Sequence, residues 1–105
     1  MPKRTLHLRF TTQTGDHRAL GPFLKRALPT YEAPPGIRVR LLRSIEQPAR
    51  YIEIIEYETL EAFQHDEKRL TDDATMKSLI QEWRGLIAGD LEVEAYEDVT
   101  DELRD

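Results

Sequence analysis

The sequence predicts an α+β fold: one ferredoxin-like βαββαβ domain spanning residues 1–105, with a four-stranded antiparallel sheet and two helices on one side. Three observations predict it. Short apolar runs at period two alternate with longer runs at helical period in that order. The charges on the strands fit one strand order, and 105 residues leave room for a single modest core.

Leu6, Leu8 and Phe10 alternate with His7, Arg9 and Thr11, which marks the first strand. A turn over Thr12 to Asp16 leads to Leu20, Phe23, Leu24, Ala27 and Leu28 at helical spacing. Pro22 disturbs any helix begun at Asp16, so the regular part is expected from near Gly21. Pro29, Pro34, Pro35 and Gly36 are expected to end it. Ile37 to Arg43 and Tyr51 to Glu58 read as a strand pair joined through Ser44 to Arg50. Thr59 caps a second helix, with Glu61 in its first turn and Leu60, Phe63 and Leu70 as its stripe. Thr71-Asp72-Asp73 reads as a break with a new cap. Met76, Leu79, Ile80, Trp83, Leu86 and Ile87 then give the strongest amphipathic pattern in the chain. Gly89 is expected to terminate the helix before a last strand in which Leu91, Val93 and Ala95 alternate with Glu92, Glu94 and Tyr96.

Composition narrows the function classes. Hydrophobic residues at 39% and charged residues at 33% suit a globular chain. No apolar run reaches the length of a bilayer span or a secretory core, so the expectation is a cytoplasmic protein without membrane contact. The chain has no cysteine, which removes disulfides, thiolate nucleophiles and cysteine-ligated metals. Three dispersed histidines offer no metal-ligand spacing, so no metal site is expected, and neither a phosphate-cradling glycine loop nor a nucleophile elbow is present. A formal charge of −5 disfavours nucleic acid.

On the sheet face away from the helices the sequence reading places Glu92 and Glu94 on the last strand, His7 and Arg9 on the first, Glu53 on the third, and Arg38 and Arg40 on the second. In the strand order 4-1-3-2 the signs alternate, so each strand meets opposite charge on its neighbours. Tyr51, Ile55, Tyr57, Leu42 and Tyr96 are assigned to the same face. That much apolar area calls for a cover, and a second copy of the chain, a homodimer, is the economical one.

The block Pro35-Gly36-Ile37-Arg38-Val39-Arg40-Leu41-Leu42-Arg43, followed by Pro48-Ala49-Arg50-Tyr51-Ile52-Glu53-Ile54-Ile55-Glu56-Tyr57-Glu58-Thr59-Leu60-Glu61-Ala62-Phe63, resembles the antibiotic-biosynthesis-monooxygenase-like family of the dimeric α/β barrel superfamily. The shared pattern is a Pro-Gly before a strand, a short loop, and a strand ending in Glu-Trp-x-Ser-x-Glu-Ala-Phe that runs into a helix. Tyr57 stands where the family usually has tryptophan, Asp66 where a helix histidine is frequent, and Lys68 to Thr75 replaces a shorter Ser-Pro-His segment. The resemblance implies a dimeric α/β barrel and a cofactor-independent, monooxygenase-like activity on an aromatic or quinol-like compound.

His7 and Tyr57 are the candidate proton-handling, catalytic residues, with Arg9, Arg38, Arg40, Tyr51, Glu53 and Tyr96 as candidate substrate-binding residues. The same charges would equally make an ion-pair lattice at a dimer interface. Trp83 reads as core, and His17 and His65 as surface. The alternative function is a non-catalytic ligand-binding or stress-associated dimer. An RNA-recognition sheet is disfavoured, because it needs central aromatics on the first and third strands and no acidic face.

Overall fold

The computed structural model describes residues 3–13 and 18–104; His17 and Thr14 to Asp16 lie outside them. The elements are β1 (Arg4–Thr12), α1 (Leu20–Tyr31), β2 (Ile37–Arg43), β3 (Arg50–Tyr57), α2 (Leu60–Asp72), α3 (Ala74–Arg84) and β4 (Ile87–Glu97), closed by a 3₁₀ turn at Thr100–Leu103. The sheet is antiparallel throughout in the order β2-β3-β1-β4, the order expected from the charges. No helix among the described residues is long and apolar enough to cross a membrane.

Local chemistry sets the boundaries. Pro22 sits in the first turn of α1, where a missing amide hydrogen has no partner to lose. Pro29 does not stop this helix, contrary to expectation. It lies inside, and the chain stays helical to Tyr31 before the Glu32 amide donates to the Leu28 carbonyl at 2.8 Å. Proline's fixed φ is helical, so one lost donor in a last turn shortens nothing. The Thr59 hydroxyl accepts from the Ala62 amide to open α2. Asp73 then both ends α2 and caps α3, its carboxylate accepting from the amides of Thr75 and Met76.

The end of α3 differs from the sequence reading. Gly85 is the C-cap, while Leu86 falls in the turn and Ile87 already belongs to β4. Gly89 is a strand residue at φ +73°, beside a register shift between Arg9 and Thr11 of β1. It makes a bulge, which needs the same left-handed backbone as a helix stop.

The register corrects one assignment with consequences for function. Phe10 pairs with Tyr51, Leu8 with Glu53, Leu6 with Ile55 and Arg4 with Tyr57, so the odd-numbered residues of β3 share the apolar face of β1. That face meets the helices: Phe10 and Tyr51 pack with Leu20, Phe23, Leu24, Ala27 and Trp83 in the main core. Tyr51, Glu53, Ile55 and Tyr57 therefore lie beneath the helices, not on the outer face. The outer carboxylate of β3 is Glu56, which pairs with Arg38 in register and bonds Arg40 at 2.7 Å. Alternation of sign across the sheet survives with Glu56 in the place assigned to Glu53. A central strand carrying Ile52, Ile54 and Ile55 is apolar on both faces, and such a strand does not declare its phase.

Candidate active site

The core is divided. Besides the main cluster, a second gathers Ile37, Tyr57 and Ala62 with Leu6, Ile55 and Phe63 around it. A cavity of about 230 Å³ lies between the sheet and the helices and borders both clusters. β1 contributes Leu6 and Leu8, β3 Glu53 and Ile55, and α3 Met76, Ile80 and Trp83, so most of the wall is apolar. Tyr31, at the end of α1, and Arg84, at the end of α3, complete it with Asp66 of α2. Leu70 and Val93 line it while 39% and 51% exposed, which places its mouth along the open side between α2 and β4.

Glu53 is the notable group. Its residue is 4% exposed, it faces the cavity, and among the described residues its carboxyl forms no hydrogen bond or ion pair. Burial pushes its pKa up to about 7, because the charged form loses water without gaining a partner. Tyr31 is close enough to feel it. Burial first, and the Glu53 charge second, hold the Tyr31 phenol well above its ordinary range, so it stays a neutral donor.

Asp66, equally buried, is held very differently. The Tyr57 hydroxyl donates to one oxygen at 2.5 Å, and the Arg69 guanidinium reaches the other at 2.7 Å. Arg69 also donates to the carbonyls of Thr30 and Tyr31 at 2.7 and 2.9 Å, tying α2 to the end of α1. Burial, then the hydrogen bond to Asp66 and its charge, raise the Tyr57 phenol far above its usual value. Tyr57 is thereby a committed donor within a network that ties β3, α2 and the end of α1 together and fixes the cavity wall, with only the Arg69 Nε–H left without a partner among the described residues. Trp83 meets Phe10 edge-on at 5.2 Å and leaves its Nε1–H without a partner among the described residues. It is both core, as read from the sequence, and cavity wall.

The sequence-derived residues are thus split between two faces. Glu53 lines the cavity, Tyr57 backs it through Asp66, and Tyr51 stacks on Phe10 nearby. His7, Arg9, Arg38, Arg40 and Tyr96 occupy the outer face. There Arg9 pairs with Glu94, Tyr96 donates to the same carboxylate, and the His7 ring stands 4.9 Å from that of Tyr96. Tyr31, Arg69 and Arg84 are not among the sequence-derived residues, and Asp66 figures there only as the position where the resembling family frequently has a helix histidine. An aspartate three residues before an arginine on one helix face was the available signal for the Asp66–Arg69 pair.

This arrangement of sheet and helices recurs in solved structures. It superposes on a variant of SnoaB, a cofactor-independent oxygenase from Streptomyces nogalater, with a TM-score of 0.77 at 19% identity, over 95% of this chain and 96% of that one. The chain has the antibiotic-biosynthesis-monooxygenase fold. A Bordetella bronchiseptica protein provisionally named an antibiotic biosynthesis monooxygenase matches with a TM-score of 0.70 at 23% identity, over 94% of this chain and 99% of that one. A Nitrosomonas europaea protein with the same provisional name matches at 0.74 and 14%, over 93% and 91%. No protein-family model matches the chain, and no curated protein matches it significantly. The monooxygenase fold hosts many activities, so chemistry has to be argued from the cavity.

Proposed function

We propose that the chain is a monooxygenase-like enzyme that binds a small aromatic, phenolic or enolic compound between sheet and helices and oxidises it with dioxygen. The observation that carries this reading is Glu53, an unpaired carboxyl facing an apolar cavity with a pKa near 7. Near neutral pH such a group is a base strong enough to take a proton and acid enough to return it. Glu53 removes a proton from an acidic C–H of the substrate, and the Tyr31 hydroxyl donates to the enolate oxygen. The enolate passes one electron to dioxygen and the radicals combine, forming a C–O bond. Protonated Glu53 returns its proton to the peroxide. Loss of the second C–H proton as the O–O bond breaks leaves a carbonyl and one water. Both electron pairs come from the substrate, so a CH₂ group and O₂ give C=O and H₂O. The likeness to SnoaB, itself a cofactor-independent oxygenase, supports an oxidation by dioxygen that needs no cofactor.

The outer face is read as the surface that meets a second copy, giving a cytoplasmic homodimer. Its alternating rows, Glu92 and Glu94, His7 and Arg9, Glu56, then Arg38 and Arg40, are of a kind that can complement themselves, and Leu42 and Tyr96 remain 44% and 43% exposed on it. Sedimentation at micromolar concentration should give a species of twice 12.3 kDa. A 12.3 kDa species alone refutes the dimer.

Oxygen uptake with a panel of phenols, quinols and small keto acids tests the chemistry. Turnover by the wild type and a loss of about 10²-fold or more in Glu53→Gln are expected. Turnover by Glu53→Gln at the wild-type rate refutes the assignment of the base. Ligands that bind to the wild type without consuming oxygen make the protein a binding dimer instead.

A further inference from the structure

We infer that the substrate carries a carboxylate or similar anion at the end opposite its ionisable phenol or enol, that Arg84 receives this anion at the cavity mouth, and that the body between is one or two rings. The inference rests on the reading of the cavity as an active site and adds the class of molecule that fits it. Two charged groups line the cavity without being spent on one another or on a neighbour. Asp66 is neutralised by Arg69, whereas Glu53 has no partner and neither does Arg84 among the described residues. Both line one space, and Glu53 is buried while Arg84 is exposed, so Glu53 belongs to its closed lining and Arg84 to the part that meets solvent. A guanidinium in the last turn of a helix also suits the helix dipole, but that role does not require it to border a cavity.

The wall between these two groups is Leu, Ile, Met and Trp, which selects a flat apolar body. Size sets the limit. A dry cavity of about 150 Å³ admits benzene, so about 230 Å³ holds a substituted ring or two fused ones and excludes three. An anion is also what this site could not tolerate at its inner end, beside an ionised Glu53. Orientation follows: carboxylate outward, ionisable group inward.

Trp83 is the chain's one tryptophan and lines the cavity, so its emission reports occupancy directly. The probes are 4-hydroxybenzoate, its neutral isostere 4-hydroxybenzamide, and the three-ring 9-phenanthrol, each also titrated by calorimetry. In the wild type 4-hydroxybenzoate should bind about tenfold or more tighter than the amide, the usual effect of a charge-assisted hydrogen bond. Arg84→Gln should erase that preference while leaving amide affinity unchanged, and Arg84→Lys should restore part of it. 9-Phenanthrol should not bind. An undiminished preference in Arg84→Gln overturns the anion assignment, and tight 9-phenanthrol binding overturns the size limit. Equal affinity for acid and amide in the wild type defeats the inference and leaves the oxygenase reading intact, to be judged by oxygen uptake. If no probe alters Trp83 emission or releases heat, both fall together.

Discussion

Replacing Glu53 by glutamine should make the protein more stable at pH 8 and leave it unchanged at pH 4. The folded protein holds the Glu53 proton up to about pH 7, against 4.5 for an ordinary glutamate. Between those values the native state carries a proton that the unfolded chain has already released, so stability falls as pH rises. At about 1.4 kcal/mol per pH unit the full penalty reaches about 3 kcal/mol above pH 7. Glutamine keeps the shape and has nothing to ionise. Urea unfolding of both proteins at pH 4, 6 and 8 measures the difference, which should grow from near zero to about 2–3 kcal/mol in favour of the variant. The same ionisation should appear in catalysis with the opposite benefit, wild-type activity rising through pH 7 as the base forms. A stability difference constant across the three pH values would mean that Glu53 has a partner or water, and the argument for a poised base would be lost.

Asp66→Asn should cost about 3 kcal/mol, because Arg69, with a side chain 12% exposed, keeps its charge and loses its anion. Tyr57→Phe removes one hydrogen bond from the same network and should cost only about 1–2 kcal/mol; thermal or urea melts showing the reverse order would contradict the roles given to the two. Trp83→Ala should cost about 3 kcal/mol through loss of its packing on Phe10, and a change within about 0.5 kcal/mol would place the indole outside the core. Gly89→Ala meets no atom within 4 Å, so its cost should be the backbone one alone, about 1 kcal/mol. A loss above about 3 kcal/mol would reveal crowding at the bulge that the structure does not contain.

The architecture was legible because each element carries a redundant signal. The β1 alternation, the Thr59 and Asp73 caps and the stripe from Met76 to Trp83 were each readable alone. The βαββαβ order of elements implied the strand order, and the signs of Arg9, Arg38, Arg40, Glu92 and Glu94 agree with it. The phase of β3 was not legible for the same kind of reason. Either Glu53 or Glu56 satisfies the charge pattern against Arg38 and Arg40, and isoleucines sit on both faces of the strand. Elementary solvation favours putting the carboxylates outside, and Glu56 obeys while Glu53 does not. Local rules tend to be broken where a protein works. The cavity itself depends on where α2 and α3 lie over the sheet, which no short-range pattern encodes.

One aspartate separates two helices. Because Asp73 ends α2 and starts α3 within a single residue, α3 need not continue along the axis that α2 sets. The residues it carries, Met76, Ile80 and Trp83, form one wall of the cavity, while α2 is tied through Arg69 to α1 and through Asp66 to β3. α3 is held in its own right, by Trp83 in the main core and by the Arg26 guanidinium of α1 on Glu82, so both walls are anchored and only the angle between them is set at Asp73. Residues 73 to 75 join those walls, and evolution or a designer can retune which molecules enter by altering that junction while leaving every side chain that lines the space in place.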